Sequence, residues 1–140
     1  MNDRMKEFYM SLAIECSKMS RAKRLQVGAI IVKNNNVISF SWNGTPAGWD
    51  NNCEDEFGLD FSGSPTLVTK PEVIHAEANS IMKLASSNES GKGSVMFLTH
   101  APCIDCAKLI YGSGITQVYY KHKYRNQSGV EFLKKCNVII

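Results

Sequence analysis

Two short stretches hold the residue types that do chemistry, His75-Ala76-Glu77 and Pro102-Cys103-Ile104-Asp105-Cys106. Together they supply an imidazole, a pair of thiols and a carboxylate. The imidazole and the thiolates fill three corners of a tetrahedral zinc site and leave the fourth for water, as in catalytic sites. Cys103 and Cys106 stand three residues apart, which on a helix brings both sulfurs to one face. Pro102 precedes them, and proline suits a helix start, where an amide donor is not needed. The unpaired amides and the dipole at that helix end favour the thiolate form that a metal requires. Two thiolates also cancel the formal charge of a zinc ion, so such a site is built to acidify water and not to grip an anion.

Glu77 is the discriminating residue. Side chains two apart in a regular helix point to nearly opposite sides, so His75 and Glu77 do not easily ligate one metal together. With His75 at a helix cap, Glu77 in the first turn faces the open position, where a carboxylate serves as a proton shuttle. Each part also has a plainer reading. A lone C-x-x-C is often half of a structural zinc site or a redox pair, and a lone histidine is more often core or surface. A structural site would need one more ligand, and Cys16, Cys53, Cys136, His100 and His122 are available for it. The combination is more specific than any of its parts.

A chain of 140 residues makes one domain, residues 1–140, with room for a real core. Its 44% hydrophobic and 21% charged residues are those of an ordinary soluble protein. The net charge of +3 is too mild to indicate nucleic acid, and no aromatic-rich basic surface is present to bind RNA. Basic residues do gather at Lys18 to Arg24 and Lys121 to Arg125, a pattern that suits a small phosphate-bearing ligand. The odd number of cysteines, five, and the lack of a signal peptide imply a reducing cytoplasm. No apolar run approaches the length of a membrane span.

The elements that must position these residues follow from periodicity. Residues 3 to 19 read as a helix capped by Asn2 or Asp3, with Met5, Phe8, Leu12 and Cys16 as its core stripe. Val27 to Val32 and Val37 to Trp42 read as a hairpin turning at Asn34-Asn35-Asn36. Asn43 to Pro71 shows no period, and so long an irregular stretch is usually functional or mobile, the alternative being a tolerated surface insertion. His75 to Leu84 is a helix burying Ala78, Ile81, Met82 and Ala85, followed by a strand at Val95 to Thr99. Cys103 to Tyr111 is a third helix stopping at Gly112 and Gly114. Ile115 to Lys121 is a strand, Ser128 to Lys135 a short helix, and Val138 to Ile140 a possible fifth strand. A hairpin followed by β-α-β units predicts an α/β fold, a mixed five-stranded sheet flanked by helices in three layers. Both metal-bearing segments then open helices at one edge of the sheet, beside the strand ends where such sheets place ligands.

The sequence resembles the cytidine/deoxycytidylate deaminase superfamily over nearly its whole length. The resemblance rests on Val27-Gly28-Ala29, Trp42-Asn43-Gly44-Thr45-Pro46-Ala47-Gly48, His75 to Ile81, and Thr99 to Lys108. The Asn-Gly-x-Pro-x-Gly segment and the Cys-Ala-Lys ending favour the deoxycytidylate branch over the cytidine and tRNA-adenosine branches. The resemblance implies a cytidine deaminase-like fold and hydrolysis of dCMP to dUMP and ammonia, feeding thymidylate synthesis. In that reaction zinc activates water for attack on cytosine C4, while Glu77 carries protons to ring N3 and to the departing ammonia. It also implies that Asn43 binds the sugar and the Ala76 amide the pyrimidine carbonyl. Arg24 and Tyr120 are the candidates for the 5′-phosphate, Arg24 foremost because a guanidinium matches phosphate oxygens in a fork. Asn79 either contacts substrate or supports the site through hydrogen bonds.

The chain departs from its relatives at Leu25, where they often carry a second basic residue, and at Cys53, which has nothing nearby to complete a second, structural zinc site. Many such enzymes are hexamers activated by dCTP and inhibited by dTTP. A homo-oligomer under the same control is therefore expected, with Gly44 and Gly48 approaching effector phosphates. Glu54, Asp55 or Glu56 would then meet Mg2+ or a sugar hydroxyl. A deaminase for another base, nucleoside or RNA is the nearest alternative, and a non-catalytic zinc module the most distant.

Overall fold

A computed structural model describes residues 1–140. In chain order the elements are α1 (Asp3–Ser17), β1 (Gly28–Lys33), β2 (Asn36–Trp42), β3 (Glu54–Leu59), β4 (Pro65–Thr69), α2 (Ala76–Ala85), β5 (Val95–His100), α3 (Ile104–Gly112), β6 (Gln117–His122) and α4 (Ser128–Lys135). The main sheet runs β2-β1-β5-β6, with β1 antiparallel to both neighbours and β5 parallel to β6. Strand alternation divides its side chains between two faces. Ile30, Val32 and Phe97 meet Tyr9 and Ala13 of α1 on one face. Ala29, Ile31, Met96 and Leu98 meet Leu84, Ile110 and Leu133 of α2, α3 and α4 on the other. The result is the expected three-layer mixed α/β arrangement.

Asn34 and Asn35 take positive φ values of 51° and 61°, the left-handed geometry of a tight hairpin turn. The Tyr9 hydroxyl donates to the Asn35 carbonyl at 2.8 Å and fixes α1 over that turn. The expected fifth strand is reduced to one parallel bridge, Gln117 with Ile139, at the β6 edge. Gly112 remains helical, and Gly114, at φ 86°, makes the turn out of α3.

Three details differ from the periodicity reading. Of the expected α1 stripe, Met5, Leu12 and Cys16 pack against the core, but Phe8 stays 52% exposed and the fully buried residues are Tyr9 and Ala13. Helix α2 buries Ala76, Glu77, Ser80 and Leu84 and leaves Met82 and Ala85 exposed. The buried Ser80 hydroxyl donates to the Glu77 carbonyl at 2.9 Å, and β2 donates to the helix backbone, Ser41 Oγ to the Ala76 carbonyl at 2.7 Å and Ser39 Oγ to the Ser80 carbonyl at 2.8 Å. Finally, Asn43 to Pro71 contains the antiparallel hairpin β3–β4, a second small sheet. Almost every β3 side chain is exposed, so no buried alternation marks it in the sequence.

The register of the main sheet gathers four strand ends at one edge. Trp42 ends β2 opposite Gly28, which begins β1; His100 ends β5 opposite His122, which ends β6. The Gly28 amide donates to Thr99 Oγ1 at 3.1 Å, closing the middle of that edge. Helices α2 and α3 begin there too. No helix is long and apolar enough to cross a membrane.

Candidate active site

His75 is the N-cap of α2 and Cys103 the N-cap of α3, with Cys106 one turn further on. Both caps place ligand atoms at positive helix ends, where amides lack intrahelical acceptors. His75 Nδ1 lies 3.3 Å from Cys106 Sγ and 3.7 Å from Cys103 Sγ, and the three ligand atoms all fall within 4.8 Å of one another. Tetrahedral zinc with ordinary bond lengths separates a nitrogen and a sulfur ligand by roughly 3.6 Å, so the spacing fits that ion. The donor chemistry fits too. Hydrogen bonds from Cys106 and His75 hold the Cys103 thiol down to about 3. The same hydrogen bond between the two sulfurs, with burial, pushes the Cys106 thiol up. The hydrogen bond to Cys103 raises His75. These contacts favour the thiolate at Cys103 over Cys106, and metal binding at such a site releases the protons its thiols still carry.

Glycine at 129 lets α4 close over this loop. A Cβ at Gly129 would collide with the Pro102 carbonyl oxygen and stand 2.8 Å from the Cys103 carbonyl.

Glu77 is only 5% exposed, and burial raises its carboxyl above the ordinary carboxylate range. Its own backbone amide, the nearby His75 and the Cys106 thiol act against that rise. It lies beside the ligand cluster but is not one of its members. Glu77, His75, Ala76 and Cys103 line a cleft of ≈ 370 Å³ at the sheet edge. The Ala76 amide, first in α2, has no i−4 carbonyl to bond.

Arg24 and Asn43 also line the cleft. Asn43 Oδ1 accepts from the Val27 amide at 2.9 Å and Nδ2 donates to the Leu25 carbonyl at 2.8 Å. One N–H and one lone pair of that amide stay available. Asn79 takes the supporting role: Nδ2 donates to the Trp42 carbonyl at 3.3 Å, away from the cleft lining. Tyr120 lies outside the cleft, because it stands within β6 and packs against the main core; Tyr124, past the strand end, lines the cleft in its place.

The proposed effector residues are scattered. Gly44 pairs with Ile74 through bonds of 2.8 and 3.1 Å, and Gly48 holds a left-handed turn at φ 88°. Asp55 faces Lys70 at 3.8 Å. Glu54 is buried, and its carboxylate is taken by the amides of Lys23 and Arg24 at 3.0 to 3.2 Å, which removes it as a free magnesium ligand.

Sequence reasoning missed Thr69, Val73, His100 and Tyr124 as cleft residues. His100 and Tyr124 were findable, since each follows or ends a strand at the ligand edge. Thr69 and Val73 needed the hidden hairpin. His100 Nδ1 sits 2.9 Å from Thr99 Oγ1, its ring 5.0 Å from that of His122, and burial followed by the His122 charge lowers its pKa.

The model of the cytidine and deoxycytidylate deaminase zinc-binding region matches residues 3–122. Human deoxycytidylate deaminase is 34% identical over 153 aligned positions, covering 96% of this chain and 83% of that one. The deoxycytidylate deaminase of Enterobacteria phage T4 is 31% identical, covering 86% of this chain and 79% of its own. The crystal structure of dCMP deaminase from the cyanophage S-TIM5, in complex with dCMP and dUMP, superposes with a TM-score of 0.87 at 43% identity, over 99% of this chain and 96% of that one. With its ligand trio, buried glutamate and fold accounted for, the chain belongs to the cytidine and deoxycytidylate deaminase family of hydrolytic enzymes.

Proposed function

We propose that the chain hydrolyses dCMP to dUMP and ammonia. The observation that carries this reading is the placement of Arg24 and Glu77 in one cleft with His75 and Cys103 of the ligand trio. The cleft therefore pairs a phosphate-matching cation with proton-transfer chemistry. Support comes from the likeness to a cyanophage enzyme whose structure holds dCMP and dUMP.

His75, Cys103 and Cys106 would hold zinc, which when bound supplies a Lewis acid that makes water a nucleophile at neutral pH. The chain's own residues supply the rest. Glu77, kept from solvent, takes a proton from the attacking water and delivers it to ring N3; it then takes the proton of the hydroxyl added at C4 and passes it to the amine, so that ammonia leaves as C4 becomes a carbonyl. The Ala76 amide, open at the helix start, orients the pyrimidine carbonyl. Asn43 offers its free N–H to the sugar, and Arg24 faces the 5′-phosphate with its guanidinium.

As a unit, residues 1–140 act as one catalytic domain in the cytoplasm, supplying dUMP for thymidylate synthesis. We further propose a homo-oligomer, a hexamer as in relatives, activated by dCTP and inhibited by dTTP with Mg2+. Gly44, Gly48 and Asp55 remain the candidates for effector contact. An ammonia-release screen of dCMP, deoxycytidine, CMP and guanine tests the substrate. Turnover confined to dCMP supports the reading, and preference for an unphosphorylated compound overturns it.

A further inference from the structure

The connector between α1 and β1 forms one wall of the cleft, yet it has no regular structure to hold it. It is held by side chains from elsewhere. Asn43 binds its far end through Val27 and Leu25. Gln26 Nε2 reaches back to the carbonyls of Ser20 and Ala22 at 3.2 and 3.3 Å. In the middle, the Glu54 carboxylate accepts three hydrogen bonds from the successive amides of Lys23 and Arg24. The Arg24 guanidinium donates in turn to Thr69 Oγ1 at 3.1 Å.

Glu54 begins β3 and Thr69 ends β4, and they are register partners. Both ends of Arg24, backbone and side chain, are therefore fixed to the base of one hairpin. Glu54 is 5% exposed, so these are bonds to a carboxylate largely removed from water, the stronger kind. A free anion beside a phosphate site would repel the ligand. This one is engaged by amides, and its position makes it a support for the cation instead.

We infer that Glu54 and Thr69 are positioning residues for recognition of the substrate's 5′-phosphate, acting through Arg24, so that the β3–β4 hairpin is part of the specificity apparatus. The inference rests on the reading that Arg24 meets that phosphate. A rigidly placed guanidinium loses less freedom on binding, and loosening it weakens phosphate recognition without touching proton transfer.

The test compares the zinc-loaded wild type with Glu54→Gln, Thr69→Val, Arg24→Ala and the double variant Glu54→Gln/Arg24→Ala. kcat and KM are measured for dCMP and deoxycytidine, and equilibrium binding for dUMP and deoxyuridine. Glu54→Gln, whose amide oxygen can still accept, should raise the dCMP KM and weaken dUMP about 5- to 10-fold, less than the roughly 10–150-fold of a charged hydrogen bond lost outright. Its kcat should shift far less, and deoxyuridine binding should hold. Thr69→Val, which leaves the buried carboxylate and its amide bonds in place, should act in the same direction more weakly and keeps the test alive if Glu54→Gln folds poorly. The double variant should be no worse than Arg24→Ala alone. Additive losses, or a lowered dCMP KM in Glu54→Gln, overturn the inference; the latter would mean that the carboxylate opposes phosphate. An Arg24→Ala change that treats dCMP and deoxycytidine alike overturns the phosphate reading itself, a separate outcome.

Discussion

His75 Nδ1 stands 3.3 Å from Cys106 Sγ, although 31 positions separate them in the chain. That contact joins the starts of α2 and α3 and defines the metal centre. About one zinc per chain is expected. Cys103→Ser should lose both metal and activity, read by elemental analysis and ammonia release. Active protein free of zinc would refute the assignment.

Glu77 tests the shuttle role. Glu77→Gln keeps the shape and the zinc but removes the proton acceptor, so turnover should fall roughly 10²–10⁴-fold. The decisive comparison is metal content. If Glu77→Gln loses zinc as readily as Cys103→Ser, the carboxylate is a ligand and the mechanism is wrong.

The chemistry was more legible than the scaffold. His75, Glu77, Cys103 and Cys106 are fixed by short-range spacing and helix ends, which sequence states directly. Tyr120 shows the limit: it lies within the strand in both the expectation and β6, but periodicity does not say that its side chain packs on the main core while Tyr124, past the strand end, reaches the cleft. Glu54 shows another. An acidic run looks like a solvated or metal-facing cluster, and only the long-range bonds to Lys23 and Arg24 reveal its structural use. The Phe8 and Tyr9 exchange on α1 has a similar origin. Both fit a helical stripe, and the bond to Asn35 brings Tyr9 inward.

Arg24→Ala should penalise dCMP far more than deoxycytidine in kcat/KM. A charged hydrogen bond is worth about 1.5–3 kcal/mol, or roughly 10–150-fold. Equal losses on both substrates would show that Arg24 does not read the phosphate.

Regulation is read from rates against dCMP concentration, with magnesium and either dCTP or dTTP. A sigmoidal curve that dCTP makes hyperbolic and dTTP depresses is expected, from a coupling of about 1–3 kcal/mol between sites. A hyperbolic curve indifferent to both nucleotides removes the regulatory proposal and leaves the catalytic one standing.

Two glycines, one against the metal loop and one at the far end of α3, separate packing from helix propensity. At Gly129 an added methyl would meet the Pro102 and Cys103 backbone, which no side-chain rotation can relieve. The Pro102–Cys103 loop or α4 must move, at about 1–3 kcal/mol for overpacking. Because that loop carries a metal ligand, Gly129→Ala should also weaken zinc retention. At Gly112, the last residue of α3, an added methyl meets nothing within 4 Å and φ is not positive. Gly112→Ala should therefore leave stability unchanged or raise it by about 0.5–1 kcal/mol. Thermal unfolding with and without chelator checks both. Zinc-loaded Gly129→Ala should melt below wild type, with chelator narrowing the gap if the damage is centred on the ligand loop. A Gly129→Ala protein as stable and as metal-retentive as wild type would show that α4 does not hold that loop.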